Sequence, residues 1–394
     1  MTTAPFDQLQ TDLQGNSQRS GVEAGLERLA DWFRTERRYH ELFDTRLMQA
    51  RVRLGLPIIL TTPLEELDEP LRSEVENAYL SACREAGWLL WNAGEIRQAW
   101  MYLRPLGEMP AVAAALAKLE PTEENRNELI EIALHEGVDP ALGLQWVINQ
   151  FGSCNAITAY DSEVPRFRRS QQQAAAAVMV RHLHGELLEN IRSEIARQEG
   201  SQSSESEAKQ TNLDELLHGR DWLFGENSYH IDTSHLASTV RIARIIEDPA
   251  SLRFAWELTQ YGRRLSETFQ FAGDEPFADV YPSHGLFFAA QLGVQVEAAV
   301  QYFRERAERT VPQEEGTAAA EVYVALLVRL RRFPEALAAH AQRIPPDMRT
   351  SGFAPTLLEL GQLAADYDQL IRICRDRGDL LGFAAGMIAK NAPR

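Results

Sequence analysis

Apolar residues recur at three- and four-residue steps along most of the chain, the spacing that gathers side chains on one face of an α-helix. From Gly21 to Arg37, Val22, Leu26, Leu29 and the Trp32/Phe33 pair make one such stripe. Tyr323, Leu326/Leu327 and Leu330 make another near the C-terminus. Strand signals are scarce: the best β-like run, Leu56 to Thr62, is isolated and contains Pro57. The periodicity predicts an all-α fold of antiparallel helix pairs, stacked as an α-solenoid or closed into a helical ring.

A pattern repeats where one helix hands over to the next: a short polar or Gly-containing turn, then a small or apolar residue about three positions on. Gly94-Glu95-Ile96 leads to Ala99 and Leu103, and Gly293 to Gln295 leads to Ala298 and Tyr302. Arg331-Arg332-Phe333 leads to Ala336 and His340, and Ala365-Asp366-Tyr367 leads to Leu370 and Cys374. Arg37-Arg38-Tyr39 leads to Leu42, and Gly137 starts a looser copy ending at Leu142. A small residue here lets paired helices approach closely. Phe333 and Tyr367 lie 34 residues apart, Gln295 and Phe333 38 apart, against a tetratricopeptide period of about 34.

On these residues, the stretch from about Leu286 to Ile388 resembles degenerate tetratricopeptide repeats, as does the region 88–104. The Trp-Leu-Gly-Tyr signature of the first helix is mostly absent, and residues 145–285 do not match. The resemblance covers about half the chain. It implies helix pairs and a groove that binds a protein or peptide partner.

Residues 1–20 read as a polar tail, and the Ser/Glu/Gln-rich segment Glu199 to Thr211 as a mobile loop. The expected division is therefore a helical-repeat half over 21–198, a loop over 199–211 and a second half over 212–394.

Composition narrows the partners. Among 394 residues, 40 Lys plus Arg face 57 Asp plus Glu, a net charge of −17. Such a surface repels phosphate backbones and anionic headgroups, so neither nucleic acid nor membrane is an expected partner. A local basic pocket can still take an acidic ligand. The first residues lack the basic and apolar regions of a secretory signal, and no apolar run reaches bilayer length. Cys83, Cys154 and Cys374 are dispersed and odd in number, which suits a reducing cytoplasm. Composition leaves the oligomeric state open.

The chemistry-bearing residues gather in the stretch that abandons the repeat. Six of nine histidines fall between 182 and 284. His182, His230, Asp232, His235 and His284 supply the imidazole and carboxylate types that zinc or iron accepts. His182 and Glu186, four apart, share a helix face, whereas His182 and His184 point to different sides. Other readings compete: Asp232 is well placed as a helix N-cap, His235 would follow in the first turn, and His284 is suited to a helix start. Cys154 is a candidate nucleophile or a small packed residue. Arg241, Arg244, Arg263 and Arg264 could hold an anion or form surface ion pairs. Trp88, Trp91 and Trp100 suit core or groove lining. No P-loop, dinucleotide fingerprint or Gly-x-Ser-x-Gly elbow is present, so no reaction is assigned. Two functions follow as expectations: a protein- or peptide-binding scaffold, or a metal-dependent enzyme or ligand sensor with its pocket in 150–285.

Overall fold

The computed structural model describes residues 19–59, 66–200 and 212–391, with the single positions 6, 10 and 63. Every regular element among them is a helix, and one isolated bridge pairs Ala272 with Asp279. The fold is all-α, with successive helices packed in adjacent pairs. Of the β-like run, Leu56 to Ile59 forms no strand, and 60–62 lie outside the described residues. Arg19 and Ser20 are already helical, while most of the expected tail, and 201–211 of the expected loop, also lie outside them. No helix among the described residues is long and apolar enough to cross a membrane.

Packing divides the chain into Met1–Gly143 and Leu144–Arg394, rather than at 199–211. The reason is helix Arg169–Glu199, which packs against helices that follow the loop. Its buried face runs from Ala175 to Ile195.

The first unit holds α1 (Arg19–Thr35), α2 (Tyr39–Leu54), α3 (Leu71–Asn92), α4 (Ile96–Leu103), α5 (Met109–Leu116) and α6 (Arg126–Ile130), which runs into a π-turn at Glu131–His135. Helices α1, α2, α3 and α4 pack each against the next. Helix α7 (Pro140–Glu163) breaks at Gly152, whose φ of 80° and ψ of 176° only glycine adopts without strain. It restarts at Ser153.

The second unit continues with α8 (Arg169–Glu199), α9 (Leu213–Leu217), α10 (Thr233–Ile242), α11 (Pro249–Gly262) and α12 (Val280–Gln291). Helix α8 carries α9, α10 and α11 on its flank. Then follow α13 (Val296–Arg309), α14 (Pro312–Glu315), α15 (Ala318–Arg329), α16 (Phe333–Arg343), α17 (Leu357–Ala364), α18 (Tyr367–Arg377) and α19 (Leu380–Asn391). From α15 on, each helix packs on the next, and α17 also meets α19, as in a stacked array.

The corners inferred from sequence turn alike, except at Gly137, where the amides beyond reach back six residues to the Ile132 and Ala133 carbonyls. The chain turns through a left-handed residue: Arg37, Gly94, Gly293, Arg331 or Ala365. Beyond it an amide reaches back five residues, Arg38 to the Phe33 carbonyl at 2.8 Å, Glu95 to Leu90 at 3.0 Å and Arg332 to Leu327 at 2.8 Å. This Schellman closure satisfies carbonyls that a helix end leaves orphaned. The next helix then buries its fourth residue, namely Leu42, Ala99, Ala299, Ala336 or Leu370. The expectation for Ala298 and Tyr302 is one residue out. Gln295 is itself left-handed, so α13 starts at Val296 and turns Ala299 and Phe303 inward instead. Glycines permit the close crossings: a Cβ on Gly87 would lie 2.7 Å from Leu103, and one on Gly361 2.6 Å from Leu370.

Candidate functional site

Four of the five residues expected to share a metal have separate side-chain engagements, and the fifth, His235, is half-buried in the first turn of α10. His284 is fully buried on α12 and stacked on Phe277 at 4.1 Å. Its Nε2 accepts from Arg244 Nε at 2.7 Å, so the proton sits on Nδ1 and is donated to the Val280 carbonyl. Burial, reinforced by Arg244, holds this imidazole well below its ordinary pKa. His230 is tied to Tyr261 on α11: its amide donates to the phenol oxygen at 2.8 Å, leaving the phenol proton for Nδ1 at 3.0 Å. Burial also lowers the pKa of His230, against the pull of Glu194.

Asp232 caps α10, accepting from Ser234 Oγ at 2.5 Å, His235 N at 3.1 Å and Ser234 N at 2.8 Å, and the serine hydroxyl above all lowers the pKa of its carboxyl. His235 follows in that first turn, half-buried. His182 bonds Ser153 Oγ at 2.9 Å and approaches Glu186 at 3.7 Å, on the shared face expected of them. Glu186 approaches the same nitrogen as the serine, which is not the relay of an activated nucleophile. Among the described residues, no three His, Cys, Asp or Glu side chains converge as ligands would. The expected zinc or iron set of His182, His230, Asp232, His235 and His284 is therefore not assembled. Caps and buried contacts occupy these residues first.

The remaining polar residues of the stretch behave likewise. His184 points the other way from His182 and forms a buried 2.7 Å contact with Glu257. Arg241 pairs with Asp161 at 2.7 Å and Arg264 with Asp221 at 2.6 Å as surface ion pairs, whereas Arg244 is buried against His284. Cys154 is exposed, and Trp91 and Trp100 are core.

An open groove occurs in the first unit instead. It has a volume of about 700 Å³ and is walled by Glu23 and Glu27 of α1, Arg46, Gln49 and Arg53 of α2, and Glu74, Asn77 and Glu85 of α3. Arg46 is central. Its Nε donates to Glu85 Oε2 at 2.7 Å and its Nη2 to Glu85 Oε1 at 3.2 Å, a two-toothed grip. Its Nη1 reaches Glu27 and Gln49, each at 2.8 Å, and Gln49 passes its own amide to Glu27 at 2.8 Å. Arg34 closes on Glu85 from α1. Partial burial works to raise the pKa of Glu27 and Glu85, but the hydrogen bonds and positive charge of these partners outweigh it, so both carboxyls lie below their ordinary value.

Sequence reasoning passed over this cluster, although a signal existed. The eighth residue of the second helix of a pair is buried at Leu103, Phe303, His340 and Cys374. In α2 that place belongs to Arg46. An arginine in a core register marks a wall that does not close. No protein-family model, curated protein or solved structure matches the chain, so the groove is read from its own chemistry.

Proposed function

We propose that the protein is a tetratricopeptide-like helical-repeat scaffold that binds a protein or peptide partner, and that the groove of the first unit takes an extended basic segment of it. The carrying observation is the wall chemistry. Four glutamates line the groove against two arginines, and Arg46 is already fully engaged with Glu85, Glu27 and Gln49. The volume falls within the ~300–1,000 Å³ of ligand clefts. Helices hold the walls, so the shape exists before the partner arrives and little ordering free energy is lost. The recurring corners support the repeat reading, and three free thiols, one of them exposed, suit a cytoplasmic setting.

The metal-dependent alternative would require His182, His230, Asp232 and His284 to leave the contacts they make, and His235 to join them. The scaffold reading is tested by selecting peptides from an unbiased display library against the full chain. Enrichment of Lys- and Arg-bearing sequences is expected. Glu27→Lys with Glu74→Lys should weaken the selected peptides at least about tenfold, and more at low salt. A selection without basic bias, or peptides indifferent to both substitutions, would remove the proposal.

A further inference from the structure

Arg329, the last residue of α15, is a buried cation with an unfinished set of hydrogen bonds. Its side chain is only 4% exposed. Nη1 donates to Gln291 Oε1 at 3.0 Å and to the Ile246 carbonyl at 3.4 Å. Nε and Nη2 have no hydrogen-bond partner among the described residues. These two N–H groups point along one edge of the guanidinium, the parallel fork that fits the two oxygens of a carboxylate. An unmet buried donor costs about 1–3 kcal/mol, more on a charged group, so the edge needs an explanation.

The surroundings supply one. Arg329 lines a cleft of about 330 Å³ with Arg169, Glu247, Val328, Phe353 and Pro355. The rings of Phe287 and Phe353 lie 5.1 and 5.4 Å from its guanidinium carbon. Buried Glu321 fixes the loop that carries Phe353, accepting from Ser351 N at 3.0 Å, Ser351 Oγ at 2.7 Å and Phe353 N at 3.2 Å. Burial brings the Arg329 pKa down to about 9, with Glu247 pulling it back, so the group is charged at neutral pH.

Glu247 is the revealing neighbour. Its Oε1 is 2.9 Å from Arg169 Nη2 but 3.7 Å from Arg329 Nε, close enough for attraction and too far for a hydrogen bond. Arg169 and Glu247 are 42% and 46% exposed, so this pair can swing aside at small cost. A carboxylate thus stands beside the fork without filling it.

We propose that the cleft between α15 and the 350–355 loop binds a small organic monocarboxylate, whose oxygens take the Nε–Nη2 edge of Arg329 and whose apolar part lies against Phe353 and Pro355. A dianion fits poorly: Arg329 and Arg169 are already balanced by Glu247 and by Glu359, also in the lining. Entry displaces Glu247 toward Arg169 and water. This site is separate from the groove of the first unit and does not depend on it.

The test uses 4-fluorobenzoate on the full chain, followed by ligand-observed fluorine NMR. Saturable binding is expected, displaced by unlabelled benzoate and not by inorganic phosphate at equal concentration. Arg329→Lys keeps the charge and loses the fork, and should weaken binding at least about tenfold. If that variant does not fold, two exposed substitutions still decide. Glu247→Gln should tighten binding several-fold by removing the competing carboxylate. Arg169→Gln should weaken it by releasing Glu247 onto Arg329. Absence of saturable binding, displacement by phosphate, or affinity unchanged in these variants would overturn the proposal.

Discussion

Arg46 and Arg329 are both arginines on helices whose buried faces are mainly apolar, yet their surroundings treat them in opposite ways. Arg46 keeps about a fifth of its side chain in water and has every edge of its guanidinium engaged. Arg329 is almost wholly buried and keeps one edge unmet. The first arrangement is cheap, because solvent shares the desolvation, and it displays a polar wall. The second is expensive, and nothing in packing alone accounts for it. The first unit exposes its polar groups in a groove. The second also buries several, singly or in pairs, and for these the question is whether each is satisfied.

That contrast can be broken by substitution. The largest expected effect is at the buried His184–Glu257 contact, where each side chain is 4% exposed. His184→Ala strands a carboxylate in the core of the second unit and should remove about 3–5 kcal/mol, measured by urea unfolding. The pair His184→Leu with Glu257→Met should recover most of it. A single substitution that cost no more than an exposed one would mean the pair is wetter than its burial indicates.

The next effect depends on pH. Burial and the nearby Arg377 bring His340 from an ordinary 6.5 down to about 4. The folded state thus holds the neutral ring while the unfolded chain accepts a proton. Stability is complete above about pH 6.5 and falls as the pH drops toward 4, by about 3 kcal/mol at the lower end. His340→Gln should flatten that window. Glu27 and Glu85 are held below the ordinary carboxylate value, so their contribution is lost only as the pH falls below about 4.5, and the slope above that point reports His340. An unchanged slope in the variant would place the proton uptake elsewhere.

The smallest effect is expected at Arg46→Met. Partial exposure screens the pairs with Glu85 and Glu27, and the methionine stem retains packing, so about 1 kcal/mol is expected. A loss near that of His184→Ala would show that the groove network holds the unit together, erasing the difference between the two regions.

Much of the fold was legible because its causes are local. The corners at Arg37, Gly94, Arg331 and Ala365 are written in a few adjacent residues. The capping role of Asp232 likewise depends on neighbours two and three positions on. Where one left-handed residue shifted a helix start, at Gln295, the reading slipped by one position and named the wrong inward face. The groove and the cleft were not legible, since their meaning lies in distant partners. Glu85 is 39 residues from Arg46, and Ile246 is 83 from Arg329. The histidine-rich stretch misled for the opposite reason: residue types suited to a metal are equally suited to caps and buried contacts, and only the third dimension separates these uses.

The most direct measurement is hydrogen–deuterium exchange of the full chain with and without a selected basic peptide. Slowed exchange is expected along α1, α2 and the part of α3 that bears Glu74 and Glu85, with 230–284 unchanged. Protection confined to the histidine-bearing stretch, with the α1–α3 groove unaffected, would contradict the scaffold reading.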